Sequence, residues 1–219
     1  MKKRLCALIL IFVILLAACA PAQDLASIFA PRQPPTLGSW EGNIFTSEHL
    51  GLRIDMLDGW VAYTDAELAE FSGFDAALLE NRQDFWELTD GMRVTDIDIW
   101  NPETFANIMI LYEPFYTIAD RMMPASQLNE FEAELWFDEL NARGDDRHVT
   151  VTISDTPVRI GDHYWYYFDT ASFFYPEDFT AYTRHFHSVQ HGFGMIIFID
   201  YYCSYSETLE EIMSMFSPL

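Results

Sequence analysis

Leu16-Ala17-Ala18-Cys19 places a thiol directly after an apolar run from Leu5 to Leu16, itself preceded by Lys2, Lys3 and Arg4. A basic start, a short apolar stretch and small residues that admit a peptidase form a secretory signal peptide. A cysteine at that point matches the bacterial lipobox, in which the thiol takes a diacylglyceryl group and the freed amine is often acylated. The expected product begins at Cys19, the lipid attachment residue, once residues 1–18 are removed. Two or more acyl chains anchor stably where a single one holds only marginally. From Leu5 to Ala20 there are 16 residues without a charge, short of the roughly 18 that a spanning helix needs. An ordinary cleaved signal is the remaining alternative for this stretch.

His185 and His187 lie two apart in a stretch of strand character, so both side chains leave one face and can share a metal. A third ligand would come from His163, His191 or an acid, and the spacing selects none. Alternation with Phe186 also describes an exposed strand face, and that is the reading adopted, with no metal ligand assigned. Asp96 and Asp98, followed by Asn101 and Glu103, gather oxygens of the kind calcium takes. They lack the glycine and spacing of an EF-hand loop, and alternation with Ile97 and Ile99 explains them as one solvated strand face. Tyr164 to Phe168, Phe173 to Tyr175 and Tyr201-Tyr202 sit near Asp169 and Glu177. Such a set can stack on and hydrogen-bond a sugar, or form a strand covered on both faces; core packing is the reading preferred.

Motifs for catalysis are missing. The chain has no Gly-x-Ser-x-Gly, no His-Glu-x-x-His and no glycine-rich phosphate loop. Cys6 leaves with the signal and Cys19 carries lipid, so Cys203 stands alone, with no disulfide partner and no redox pair. With 34 acids in the chain, some pair falls near a glycosidase spacing by chance alone. No catalytic residue and no cofactor are assigned, and the chain reads as not an enzyme.

Composition narrows the partners. The net charge is −22, and loss of Lys2, Lys3 and Arg4 with the signal takes it to −25. Every base left is an arginine, which excludes a lysine nucleophile or Schiff base. The cationic surface that nucleic-acid binding requires is missing, so no nucleic-acid partner is expected. Such acidity repels an anionic membrane surface and favours cations.

The elements that must position these residues follow from periodicity. Pro21, Pro31, Pro34 and Pro35 mark residues 19–39 as a lipidated, Pro-rich tether, and residues 40–219 read as a single globular domain. Residues 43–47 and the alternating Leu52, Ile54 and Met56 predict two strands, with a turn at Asp58-Gly59. Thr64-x-x-Glu67 predicts a capping box on a helix carrying Leu68 and Phe71. A second helix carries Leu78, Leu79, Phe85 and Trp86 on one stripe and ends at Gly91. Strands over 93–100 and 105–113 flank Asn101-Pro102. A further helix directs Leu128, Phe131, Leu135 and Trp136 to the core and stops at Gly144. Beyond His148 come a half-buried strand at Val149, Val151 and Ile153, a hairpin turning at Gly161-Asp162, and strands over 179–189 and 194–200 around His191-Gly192. A last helix holds Leu209, Ile212, Met213 and Phe216 after Ser204-x-x-Glu207. This order predicts an α+β domain whose sheet is largely antiparallel with helices packed on it.

Trp40-x-x-Asn43-x-Phe45, Leu50-Gly51-Leu52-x-Ile54 and Gly59-Trp60 resemble the opening of PsbP/Mog1-like domains of small bacterial lipoproteins. Ile160-Gly161-x-His163 is similar to their mid-domain hairpin, and Glu207 to Ile212 resembles their terminal helix. The resemblance spans residues 40–219 and implies an α/β/α sandwich with a non-catalytic binding or assembly role. The matching positions look structural, so no catalytic residue carries over. The resulting expectation is a lipid-anchored, extracytoplasmic binding or scaffolding protein at the cell membrane, with an unknown protein or small-ligand partner. The alternatives are a binder of carbohydrate or a divalent cation through a pocket lined by residues 163–187, and an envelope hydrolase built on paired carboxylates.

Overall fold

The computed structural model describes residues 35–72, 93–115, 117, 122–142, 147–175, 178–190, 193–202 and 208–219. The expected signal peptide, Cys19, most of the expected tether, the helix expected over Leu78 to Trp86, the stop expected at Gly144, the turn expected at His191-Gly192, Cys203 and the expected Ser204-x-x-Glu207 box lie outside the described residues.

Gly42, with φ +62°, turns β1 (Ser39–Glu41) into β2 (Ile44–Ser47), and β3 (Leu52–Asp55) pairs with β2 in turn. The short β4 (Val61–Ala62) leads into α1 (Asp65–Ser72). Thr64 caps α1 as predicted: its hydroxyl accepts the Glu67 N–H at 3.3 Å, and Glu67 returns a carboxylate to the Thr64 N–H at 2.7 Å. Next come β5 (Val94–Trp100), β6 (Asn107–Pro114), α2 (Ala125–Ala142), β7 (Arg147–Ile153), β8 (Val158–Ile160), β9 (His163–Phe174), β10 (Phe179–Gln190), β11 (Phe193–Tyr202), α3 (Thr208–Ser214) and β12 (Phe216–Pro218). Every described strand pairing is antiparallel.

The large sheet runs β4-β5-β6-β11-β10-β9-β7, with β8 hydrogen-bonded to β9, and the small one runs β1-β2-β3-β12. Between them lies the main core, where Ile97, Ile108, Ile110, Trp165, Phe186, Ile197 and Ile199 meet Phe45, Leu52, Ile54, Ile212 and Met215. Burial of one such side chain is worth about 1.5–3 kcal/mol, so this layer carries much of the stability. Helix α2 covers the other face through Leu128, Asn129, Ala133, Trp136 and Leu140. The layer opposite α2 is thus the small sheet with the short α3, rather than helices alone.

Three details differ from the periodicity reading. Phe131 and Leu135 point outward from α2 at 50% and 47% exposure, because Asn129 and Ala133 take the sheet-facing stripe. Helix α3 ends at Ser214, and Phe216 enters β12, paired with Ile54, instead of a fourth helical position. The third is a bulge: Thr95 lies opposite Leu111 and Ile97 opposite Ile110, so Asp96 is an extra residue in β5. Among the described residues no helix is long and apolar enough to cross a membrane.

Candidate functional site

The histidine pair is interior. Both rings are fully buried, because α2 lies across the face of β9 and β10 that carries them; the expected exposed strand face is therefore corrected. Phe168 lies parallel to both, 4.3 Å from His185 and 5.4 Å from His187, and Trp136 and Phe198 close on His185 at 4.7 and 4.9 Å. His187 Nδ1 donates to Asn129 Oδ1 at 3.0 Å, a tautomer set by Asn129, whose amide donates to the Tyr167 carbonyl at 3.2 Å. Neither nitrogen of His185, nor Nε2 of His187, has a hydrogen-bond partner. Burial first, then the neighbouring His187, lowers the His185 pKa to about 2. Burial, then Arg93, lowers that of His187 to about 3. Both are neutral imidazoles at any physiological pH. His163 leaves β9 on the opposite face and sets Nε2 against the His49 carbonyl at 3.0 Å, so it cannot complete a metal site with them. Among the described residues no three metal-ligating side chains converge.

The two aspartates of β5 part company at the bulge, which corrects the expectation of one solvated face. Asp96 is buried in the main core, where its oxygens accept the Gly38 N–H at 2.9 and 3.1 Å and the Tyr112 hydroxyl at 3.0 Å. Its role is to fasten the chain ahead of β1 to the large sheet. Asp98 is half-buried on the other face, where it accepts a hydrogen bond from the Asn107 amide, and Asn107 also donates to the Ile99 carbonyl at 3.2 Å. Burial raises the Asp98 pKa against the pull of that amide, and Asp200 adds to the rise. Asp200 stands directly across from Asn107, and burial raises its pKa too, opposed by a hydrogen bond from Thr183.

Asp98 opens onto a cleft of about 330 Å³. Thr95, Asp98 and Met109 form its floor on β5 and β6, and Tyr63, Leu68 and Phe71 form its wall. The wall is held at its start: the Tyr63 N–H donates to the Asp98 carbonyl at 2.9 Å, and the capping box starts α1 one residue later. Tyr63 stacks on Trp100 at 6.4 Å between centroids, and Phe71 meets the edge of Tyr63 at 5.2 Å while remaining 69% exposed. Sequence reasoning singled out Asp98 but not Tyr63 or Met109, and placed Phe71 on the capped helix without assigning it a site. The capping box held the clue, because it sets which way the α1 residues face.

The aromatic second half serves packing. Trp165, Phe168 and Phe186 are buried, and Trp165 donates its indole N–H to the Ile160 carbonyl at 3.0 Å. Arg184 grips Asp169 at 2.7 and 2.8 Å and lies 4.5 Å over the Tyr167 ring. These contacts follow the core-packing reading preferred for the aromatic stretch over the alternative of a ligand pocket along residues 163–187.

No family model and no curated protein matches this chain. Among solved structures it is similar to the solution structure of cyanobacterial PsbP (CyanoP) from Synechocystis sp. PCC 6803, at 11% identity and a TM-score of 0.42, covering 84% of this chain and 99% of that one.

Proposed function

We propose that this chain is a lipid-anchored, extracytoplasmic, non-catalytic binding protein of PsbP/Mog1-like type, tethered to the membrane through Cys19. One structural observation supports the non-catalytic part: among the described residues the histidine pair and Asp96 are committed to packing. His185 and His187 are walled by aromatic rings, and Asp96 is bonded to Gly38 and Tyr112. A carboxylate-pair hydrolase needs two acids converging in one cleft. Only Asp98 of the Asp98–Asp200 pair lines the described one. The anchoring part rests on Leu16-Ala17-Ala18-Cys19 and its basic, apolar lead. Fractionation of cells expressing Cys19→Ala tests it. Release of the variant into the soluble fraction is expected, and continued membrane retention would sink the anchor.

A further inference from the structure

Each of the four arginines whose side chains are described is already spent on a carboxylate: Arg53 on Asp55, Arg93 on Glu113, Arg159 on Asp162 and Arg184 on Asp169. Neither Asp98 nor Asp200 is among those partners, and no lysine exists beyond Lys3. Among the described side chains, therefore, no cation of the protein is paired with the half-buried carboxylate of the cleft. The wall beside it is apolar and aromatic, with Leu68 alongside Tyr63 and Phe71, and Met109 shares the floor with Asp98. Ring faces attract a cation by about 0.5–2 kcal/mol, more as water is excluded. A metal ion wants several oxygens around it, and this cleft offers a single carboxylate and mostly carbon. A volume of about 330 Å³ lies at the small end of ligand sites, which run from about 300 to 1,000 Å³.

We propose that the cleft between α1 and the β5–β6 floor binds a small organic ammonium ion, its charge against Asp98 and its carbon skeleton against Tyr63, Phe71 and Met109. This rests on the binding-protein reading and gives it a ligand class. Asp98 supplies the charge, Asn107 holds its carboxylate in place, and the exposed ring of Phe71 is the rim that the ligand covers.

Calorimetric titration of the full chain with choline and benzylamine, each beside its neutral isostere (3,3-dimethylbutan-1-ol and benzyl alcohol), tests the proposal. Saturable binding of at least one cation is expected, with its isostere weaker by about tenfold or more, the equivalent of about 1.4 kcal/mol. Asp98→Asn should lose the same factor, and it retains an oxygen for the Asn107 donor. Phe71→Ala, which removes an exposed ring and leaves the core intact, should weaken binding several-fold. Equal affinity for cation and isostere, absence of saturation, or binding unchanged in both variants would overturn the assignment. Calcium binding in place of either amine would do the same. The outcome is separable from that of the anchor: membrane retention is read on Cys19→Ala, and cation binding on chains that keep Cys19.

Discussion

His185 shows what a buried polar residue costs when nothing answers it. A buried group without a hydrogen bond forfeits roughly 1–3 kcal/mol, whereas an apolar side chain of similar volume is close to neutral there. His185→Met is therefore expected to leave the melting temperature at pH 7 unchanged or to raise it; a clear fall would mean that the imidazole makes an interaction worth keeping. Acid provides the second readout. Both histidines have folded pKa values far below 6.5, about 2 and about 3, so the unfolded chain binds more protons than the folded one as pH drops below 6.5. Stability is whole above that value and declines on acidification, by about 2 kcal/mol per histidine at pH 5. Asp98, Asp200 and Glu132 act in the opposite sense, because their raised carboxyl pKa values favour the folded state as they protonate. Their gain offsets part of the histidines' loss, in the parent chain and in His185→Met alike. Melting curves from pH 6.5 to 5 should therefore fall less for His185→Met than for the parent chain, the difference being the share of one histidine.

Turns and caps were the most legible elements, because their chemistry is local. Thr64-x-x-Glu67 states its own hydrogen bonds, and Thr64→Ala is expected to cost about 1 kcal/mol, a fall of roughly 2–4 °C in a domain this size. Gly161-Asp162 was equally plain as a hairpin connection, but its tertiary setting was not. Gly161 has φ +59°, and a Cβ there would lie 2.5 Å from the Leu50 carbonyl oxygen and 2.8 Å from that of Gly51. Gly59 has φ +88° with nothing within 4 Å of the same atom. Gly59→Ala therefore meets only the left-handed backbone penalty, about 1–2 kcal/mol, while Gly161→Ala must also displace two backbone carbonyls. Thermal melts should rank Gly161→Ala well below Gly59→Ala, and equal melting temperatures would show that the approach of the Gly161 turn to the Leu50-Gly51 backbone yields easily. What alternation could not reveal was which strands have a second layer. Along β10 it describes His185, Phe186 and His187 correctly as alternating faces, yet α2 covers one face and the main core the other. The bulge at Asp96 was hidden for a related reason: an extra residue becomes visible only once β6 supplies the register. Asn129 on α2 was likewise unreadable as a core residue until Tyr167 and His187 gave it partners.

Across the whole molecule the acid excess was legible from composition, while the pairing that spends the arginines was a property of the fold. Charges numbering −22 in net repel one another in the compact state more than in the open chain. Raising ionic strength from 0.01 to 0.1 M shortens the screening length from about 30 to about 10 Å, which relieves that repulsion. It also weakens the ion pairs, but exposed pairs such as Arg53–Asp55 and Arg159–Asp162 are well solvated and contribute little. Repulsion should win, so the melting temperature is expected to rise with sodium chloride over that range, and a fall would mean that the arginine pairs dominate. The same field acts on the cleft with the opposite sign, since an acidic surface concentrates cations near Asp98 and screening removes that advantage. Choline or benzylamine should therefore associate more slowly and bind more weakly at 0.1 M salt than at 0.01 M, while the protein itself becomes more stable. Parallel melting and calorimetric titrations at the two salt concentrations would check both signs at once. Stability and affinity falling together would point to a folding change at the cleft rather than to screening of its charge.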